Sequence, residues 1–309
     1  MQPGAGWTWA RSCAASSRPC LPPPSPAGRW QGAARATAAA GLAGAACLAA
    51  GGLPPLAAAG FSPGRRGGSS GAGGGGGAGG GGGFLSSPRQ PGEFGHAGRR
   101  ATDVLMVSNA LLWGLQQVSG IGDLLLVWGV KINPLIAAGQ YWRLLTPAFL
   151  HGNLAHLAVN SYSLNNLGPV AERVTGAPRF LLIYLSAAVA GTLASYFGSP
   201  APSLGASGAI FGIGGAVAMY YYRNRDIYGK RSDYVLKQLW STLLINLIYG
   251  LSNPRIDNWG HMGGLVGGAL AALLLGPRWK AVRLPGKRGE WLVDAAPLPL
   301  FRGEPRQIR

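Results

Sequence analysis

Trp259–Gly260–His261–Met262–Gly263–Gly264–Leu265–Val266–Gly267–Gly268 opens an apolar run that continues to Leu275 without a Lys, Arg, Asp or Glu. Glycines at 260, 264 and 268 fall on one helix face and those at 263 and 267 on the next. Both sets have the i,i+4 spacing that lets a neighbouring helix come close. A surface helix of a soluble domain would carry a polar face at 3.6-residue period, and this segment has almost none. Working outward, comparable apolar segments lie near residues 104–121, 153–171, 179–198, 207–222 and 235–251, giving six with 259–275. Several approach the roughly 20 residues that cross a bilayer core. The fold class expected is an all-α polytopic membrane protein, a bundle of six transmembrane helices.

The charges between the segments set an orientation. If the spans alternate, one side receives Arg99, Arg100, Arg173, Arg179, Arg223, Arg225, Lys230, Arg231, Lys237, Arg278, Lys280, Arg283, Lys287 and Arg288, and the other only Lys131, Arg143 and Arg255. That positive-inside bias places both termini on the cytoplasm-like face. The net charge of +17 is accounted for by these short loops and tails, with no basic stripe of the kind that binds nucleic acid, so no nucleic-acid partner is expected.

The amino-terminal third has a different composition. Residues 1–92 hold no Asp, Glu or Lys and are dominated by Ala, Gly, Ser and Pro with scattered Arg. Such a segment cannot build a core and has the character of an organelle transit peptide followed by a Gly-rich spacer. The division expected is a disordered transit region over 1–98, a membrane domain over 99–280 and a basic carboxyl-terminal tail over 281–309. Cys13, Cys20 and Cys47 all fall in the first part. A mature chain would have no disulfide and no thiolate metal site, and neither metal nor cofactor is expected.

With this orientation the second, fourth and sixth spans all run inward from the opposite face, so His156, Asn160, Ser207 and His261 start at one level. Polar groups converging at membrane depth are expensive and usually functional. The 16 residues from Ser207 to Tyr222 cover only about 24 Å of a roughly 30 Å core. Ser207 then lies below the surface, and the Pro-containing stretch 199–205 before it must line protein or a watery cavity. Gly205–Ala206–Ser207–Gly208 sets a hydroxyl at a helix amino terminus, where free N–H groups favour a developing negative charge. A serine needs an adjacent base. Gly208 and Gly212 match the glycine face around His261, and close packing there could bring Ser207 to the imidazole with Phe211 against its ring. Asp257 is the one acid nearby, but its spacing does not show that it reaches the imidazole, and a dyad is expected. His156 and Asn160 share a helix face and read either as side-chain oxyanion donors or as a hydrogen-bonded pair that joins spans.

From about Trp128 to Lys280 these residues resemble the rhomboid intramembrane serine proteases, and among them the plastid-type plant members. The resemblance rests on Tyr141–Trp142–Arg143, His151 with His156 and Asn160, Glu172–Arg173, Gly205–Ala206–Ser207–Gly208, and His261 with Gly264 and Gly268, in that order. It implies peptide-bond hydrolysis in or near the transmembrane segments of membrane-protein substrates, within a lipid bilayer. It implies Ser207 as nucleophile, His261 as general base and acid, and His156 with Asn160 as oxyanion donors. Gly205, Gly208, Phe211, Trp142, Arg143 and His151 are implied as supporting residues, and Glu172 as a stabiliser on the stromal side. Gly260 departs from the alanine that many members carry before the histidine. The resemblance also points to a chloroplast membrane, the inner envelope, with the mitochondrial inner membrane as second choice.

Other chemistries fit less well. A His-Glu-x-x-His metalloprotease is excluded by the spacing of His151 and His156. Gly120–Ile121–Gly122–Asp123 fits an aspartyl intramembrane motif, but no second acid lies well inside a span. No inverted repeat or intramembrane acid chain suggests a transporter. A catalytically silent rhomboid-like protein that binds membrane clients remains the alternative, and an intact nucleophile, base and donor set weighs against it.

Overall fold

The computed structural model describes residues 97–253, 256–298, 300–301 and 304–307. The expected transit region through residue 96, the three cysteines and Arg255 lie outside the described residues. The described chain is mostly helical: α1 Arg100–Gln116, α2 Ile121–Gly129, α3 Asn133–Ala137, α4 Leu154–Thr175, α5 Ala177–Gly198, α6 Ser207–Arg223, α7 Arg225–Tyr228, α8 Lys230–Leu251 and α9 Asn258–Leu275. Short 3-10 turns at Tyr141–Leu144 and Thr146–Phe149 shape the long first loop.

Six of these helices, of 17 to 22 residues, coincide with the six apolar segments. The first segment ends sooner than expected. α1 stops at Gln116, and the chain bends by 119° through the positive-φ Gly120 into α2 instead of running straight to residue 121. Among the described residues α5 is the one helix long and apolar enough by itself to cross a membrane, with the bent α1–α2 pair a second if it is one span. The other helices miss that measure for identifiable reasons. α6 has 17 residues. α4 and α8 carry polar and charged side chains such as Asn165, Glu172, Lys230 and Asp233. α9 spends five positions on glycine.

α9 packs between α6 and α5, and its two glycine faces divide the work. At 264 and 268 an added Cβ would run into the carbonyl oxygens of Gly208 and Gly212 on α6. At 263 and 267 it would meet the methyls of Ala194 and Ala190 on α5. The main core lies beside this trio, around Leu164, Phe180, Tyr184, Ile213, Val217 and Leu239.

At the other end of the bundle, Glu172 of α4 receives the N–H groups of Ala101 (3.0 Å) and Thr102 (2.8 Å) and the Thr102 hydroxyl (2.8 Å). A carboxylate at the first turn of α1 satisfies donors that the helix leaves without partners. Beyond α9, where a tail was expected from residue 281, the chain forms an antiparallel sheet of β1 Trp279–Val282, β2 Trp291–Asp294 and β3 Arg306–Gln307. The sheet is tied to the helices: Asp294 pairs with the buried Arg179 at 2.6 Å, and the Trp279 indole donates to the Tyr220 hydroxyl at 3.1 Å. β1 straddles the boundary expected between residues 280 and 281.

Candidate active site

Ser207 is the first residue of α6, and no side chain caps that helix. The first-turn N–H groups of α6 therefore have no partners within the helix and face the loop that precedes it. Across the glycine contact, His261 lies in the first turn of α9, and its Nε2 is 2.9 Å from Ser207 Oγ. The contact depends on missing side chains: at Gly208 a Cβ would already lie 3.1 Å from the Gly260 carbonyl oxygen. Phe211, one turn into α6, stacks on the His261 ring with centroids 4.3 Å apart and planes 7° from parallel. The face of the imidazole is thereby fixed while its Nε2 edge points at the hydroxyl.

Asp257 does not reach the imidazole. Its Oδ1 accepts from the Gly260 N–H at 2.9 Å, capping α9, and its Oδ2 accepts a short hydrogen bond from the Ser195 hydroxyl. His261 Nδ1 has no hydrogen-bond partner among the described residues. The arrangement is a serine–histidine pair with no third member on the ring.

His156 and Asn160 meet the chain at Gly205, two residues before Ser207. The Gly205 φ of +129° is one a side chain rarely adopts, and a Cβ there would lie 2.8 Å from His156 Nε2 and 3.9 Å from Asn160 Nδ2. The Asn160 amide also donates to the His156 carbonyl one turn back at 3.1 Å, and the Asn153 side chain caps α4 through the His156 N–H at 2.7 Å. Pro147, Ser203, Leu204, Gly205, Ser207, Asp257 and His261 line a small open cavity. His156 and Asn160 are not part of that lining and meet Gly205 at its edge.

His151 stands edge-on to His156, centroids 5.3 Å apart, and its backbone exchanges two hydrogen bonds with the Gln116 side chain at the end of α1. Burial, reinforced by His156, pushes the His151 imidazole down to about 3, so it is neutral. Trp142 and Arg143 belong to the first loop and stand away from the pair. Trp142 stacks on Trp128 and donates to its carbonyl oxygen at 3.0 Å. Arg143 is buried, with its guanidinium donating to the Val127 and Val130 carbonyl oxygens and to Gln140 Oε1.

A family profile described as the rhomboid domain matches residues 138–278, which include Trp142, Arg143, His151, His156, Asn160, Gly205, Ser207, Phe211, Asp257 and His261. The chain is 37% identical over 142 residues to the putative rhomboid protease YdcA of Bacillus subtilis, covering 69% of that protein. This chain belongs to the rhomboid family. It is also 42% identical over 178 residues to rhomboid protease GluP of Bacillus subtilis and 32% identical over 181 residues to RHOMBOID-like protein 9, chloroplastic, of Arabidopsis thaliana. These matches cover 57% and 58% of this chain but only 34% and 41% of those two relatives, so the rhomboid chain spans well under half of their length. Membership makes it a membrane protein of a family whose relatives include named proteases.

Two features of the rhomboid site were not foreseen. Asp257 stood out as the nearest acid, but its cap on α9 was missed, although an Asp three residues before Gly260 at the head of an apolar run is a readable N-cap signal. Lys131 was counted only as a loop charge. It is fully buried, and its ammonium donates to the carbonyl oxygens of Ser195 (3.0 Å), Ser199 (2.7 Å) and Ala201 (2.9 Å). Nothing in a single sequence distinguishes such a lysine from a solvated one.

Proposed function

We propose that this rhomboid protein is an intramembrane serine endopeptidase that hydrolyses peptide bonds in or near the transmembrane segments of other membrane proteins. The observation that carries the reading is the 2.9 Å approach of Ser207 Oγ to His261 Nε2 at the uncapped head of α6. Ser207 attacks the scissile carbonyl carbon while its proton passes to His261 Nε2. The oxyanion is held by the Ser207 N–H with His156 and Asn160, and His261 then gives the proton to the leaving amine. Water, activated by the same imidazole, hydrolyses the acyl-enzyme and restores the serine. No step uses a metal or cofactor.

The reading includes six membrane-crossing helices with both termini on the positive side. Large apolar side chains lie exposed along the outer faces of the bundle, among them Leu111 on α1, Trp240 and Ile248 on α8, and Val266 and Leu270 on α9. A soluble surface rarely carries so much contiguous apolar area. Helices too short or too polar for the hydropathy measure then span as part of a bundle, their polar residues turned to one another. The similarity to a chloroplastic relative favours a plastid membrane, the inner envelope, reached through the acid-free amino terminus.

Ser207→Ala and His261→Ala should each abolish cleavage of a model transmembrane substrate in liposomes, and the double variant should be no worse than either, because nucleophile and base act as a unit. Residual cutting by Ser207→Ala would remove it as nucleophile. A folded wild type that neither cuts nor takes an active-site serine reagent would hand the chain to the client-binding alternative. His156→Ala and Asn160→Ala should each slow turnover, by up to the equivalent of about 2.7–4 kcal/mol, without unfolding the protein. Normal turnover in the double variant would return the pair to packing.

A further inference from the structure

Lys131, Ser195 and Asp257 come from three separate parts of the chain: the first loop, α5 and the head of α9. Ser195 is nearly inaccessible and joins the other two, its carbonyl oxygen accepting from the ammonium and its hydroxyl donating to the carboxylate. The Lys131 backbone is also paired with Ser203 in both directions, at 3.1 and 3.3 Å, and two residues later the Gly205 N–H donates to the Pro147 carbonyl oxygen at 2.8 Å. The irregular stretch from 199 to 205 thus hangs on Lys131 at four of its own or neighbouring carbonyls and leads directly into Ser207. The same network ends on Asp257, which caps α9 at the Gly260 N–H, the residue just before His261.

We propose that Lys131 and Asp257 are positioning residues for the Ser207–His261 reaction, a buried cation and a half-buried carboxylate linked through Ser195 that hold the nucleophile's approach segment and the base's helix in one register. Neither touches the reacting atoms. A buried ammonium is costly unless its donors are used and an opposite charge is near. Burial pushes the Lys131 ammonium below its ordinary value, and the Asp257 carboxylate draws it back up. Retaining a lysine where methionine would fill the same space suits a role in geometry, since misplacement by about 1 Å can cost about a hundredfold in rate.

The inference rests on the serine-protease reading, and the experiment separates the two. Lys131→Met, Asp257→Asn and the double variant are made in the full chain, reconstituted in liposomes and normalised to folded protein. Asparagine caps a helix as well as aspartate does, so Asp257→Asn removes the charge and leaves the cap. Each single variant should lose about tenfold or more in kcat with KM within about threefold, and the double should be no worse than the poorer single, because the two act as one unit. Hydrogen exchange should quicken in Lys131→Met over both 199–205 and 256–261. An active wild type whose variants keep kcat, multiply their losses, or loosen only 199–205 overturns the positioning role alone. A wild type that cuts nothing overturns the protease reading, and the catalytic positioning with it.

Discussion

The two glycine faces of α9 look alike in the sequence and behave differently in the structure. On the face made by 260, 264 and 268, the neighbour is backbone: the positions a Cβ would take at 264 and 268 are filled by the Gly208 and Gly212 carbonyls of α6. On the face made by 263 and 267, the neighbours include alanine methyls of α5. At 267 a new methyl meets one alanine methyl with the next atoms 3.8 Å away, so a small tilt of α5 relieves it, and at 263 it also meets the Ala190 carbonyl oxygen at 2.8 Å. At 264 and 268, by contrast, it meets the oxygen, carbon and Cα of a glycine of α6 together. The first face therefore fixes the separation of α6 and α9, and with it the distance from Ser207 to His261. The second holds α9 against α5, most loosely at 267.

The comparison is broken most directly by adding a methyl to each face. Gly264→Ala should force α6 and α9 apart, costing about 3 kcal/mol or more of stability, and should abolish cleavage even in the fraction that stays folded. Thermal unfolding in detergent and cleavage per folded molecule measure the two effects separately; near-normal cleavage would mean that the pair tolerates a wider helix spacing. Gly267→Ala on the α5 face should cost about 1 kcal/mol and leave most of the activity. Equal losses at 264 and 267 would erase the distinction between the faces.

Much of this arrangement was legible in advance, because small-residue spacing and apolar runs are local signals. The i,i+4 glycines announced close helix contacts, and Gly205–Ala206–Ser207–Gly208 announced a helix head with a hydroxyl. What the spacing could not supply was which glycine face meets which helix, since both satisfy the same rule. The bend after Gln116 was half visible: Gly120 takes the positive φ of the turn, but Ile121, Leu124, Leu125 and Leu126 continue the apolar run, and the anchoring of the Gln116 side chain to the distant His151 backbone has no local signal. Lys131 was misread for a related reason. Its acceptors are backbone carbonyls more than 60 residues away, and carbonyls have no sequence signature. The sheet after α9 depends likewise on the remote Arg179 and Tyr220.

The finest test of the α6–α9 face concerns the orientation of the base and leaves the helix spacing alone. Phe211 lies parallel to the His261 ring at 4.3 Å, on the same side of α6 that presents Ser207. Leucine at 211 would keep an apolar, branched side chain in the contact and remove the flat surface that holds the imidazole plane. Aromatic stacking contributes about 0.5–1.5 kcal/mol beyond burial, so Phe211→Leu should lower kcat by roughly three- to tenfold. Thermal stability should change much less than in Gly264→Ala, because no backbone is displaced. The Phe211→Tyr variant keeps the ring and should stay near wild type. If leucine and tyrosine behave alike, the ring contact is packing only, and the glycine spacing by itself sets the geometry of the pair.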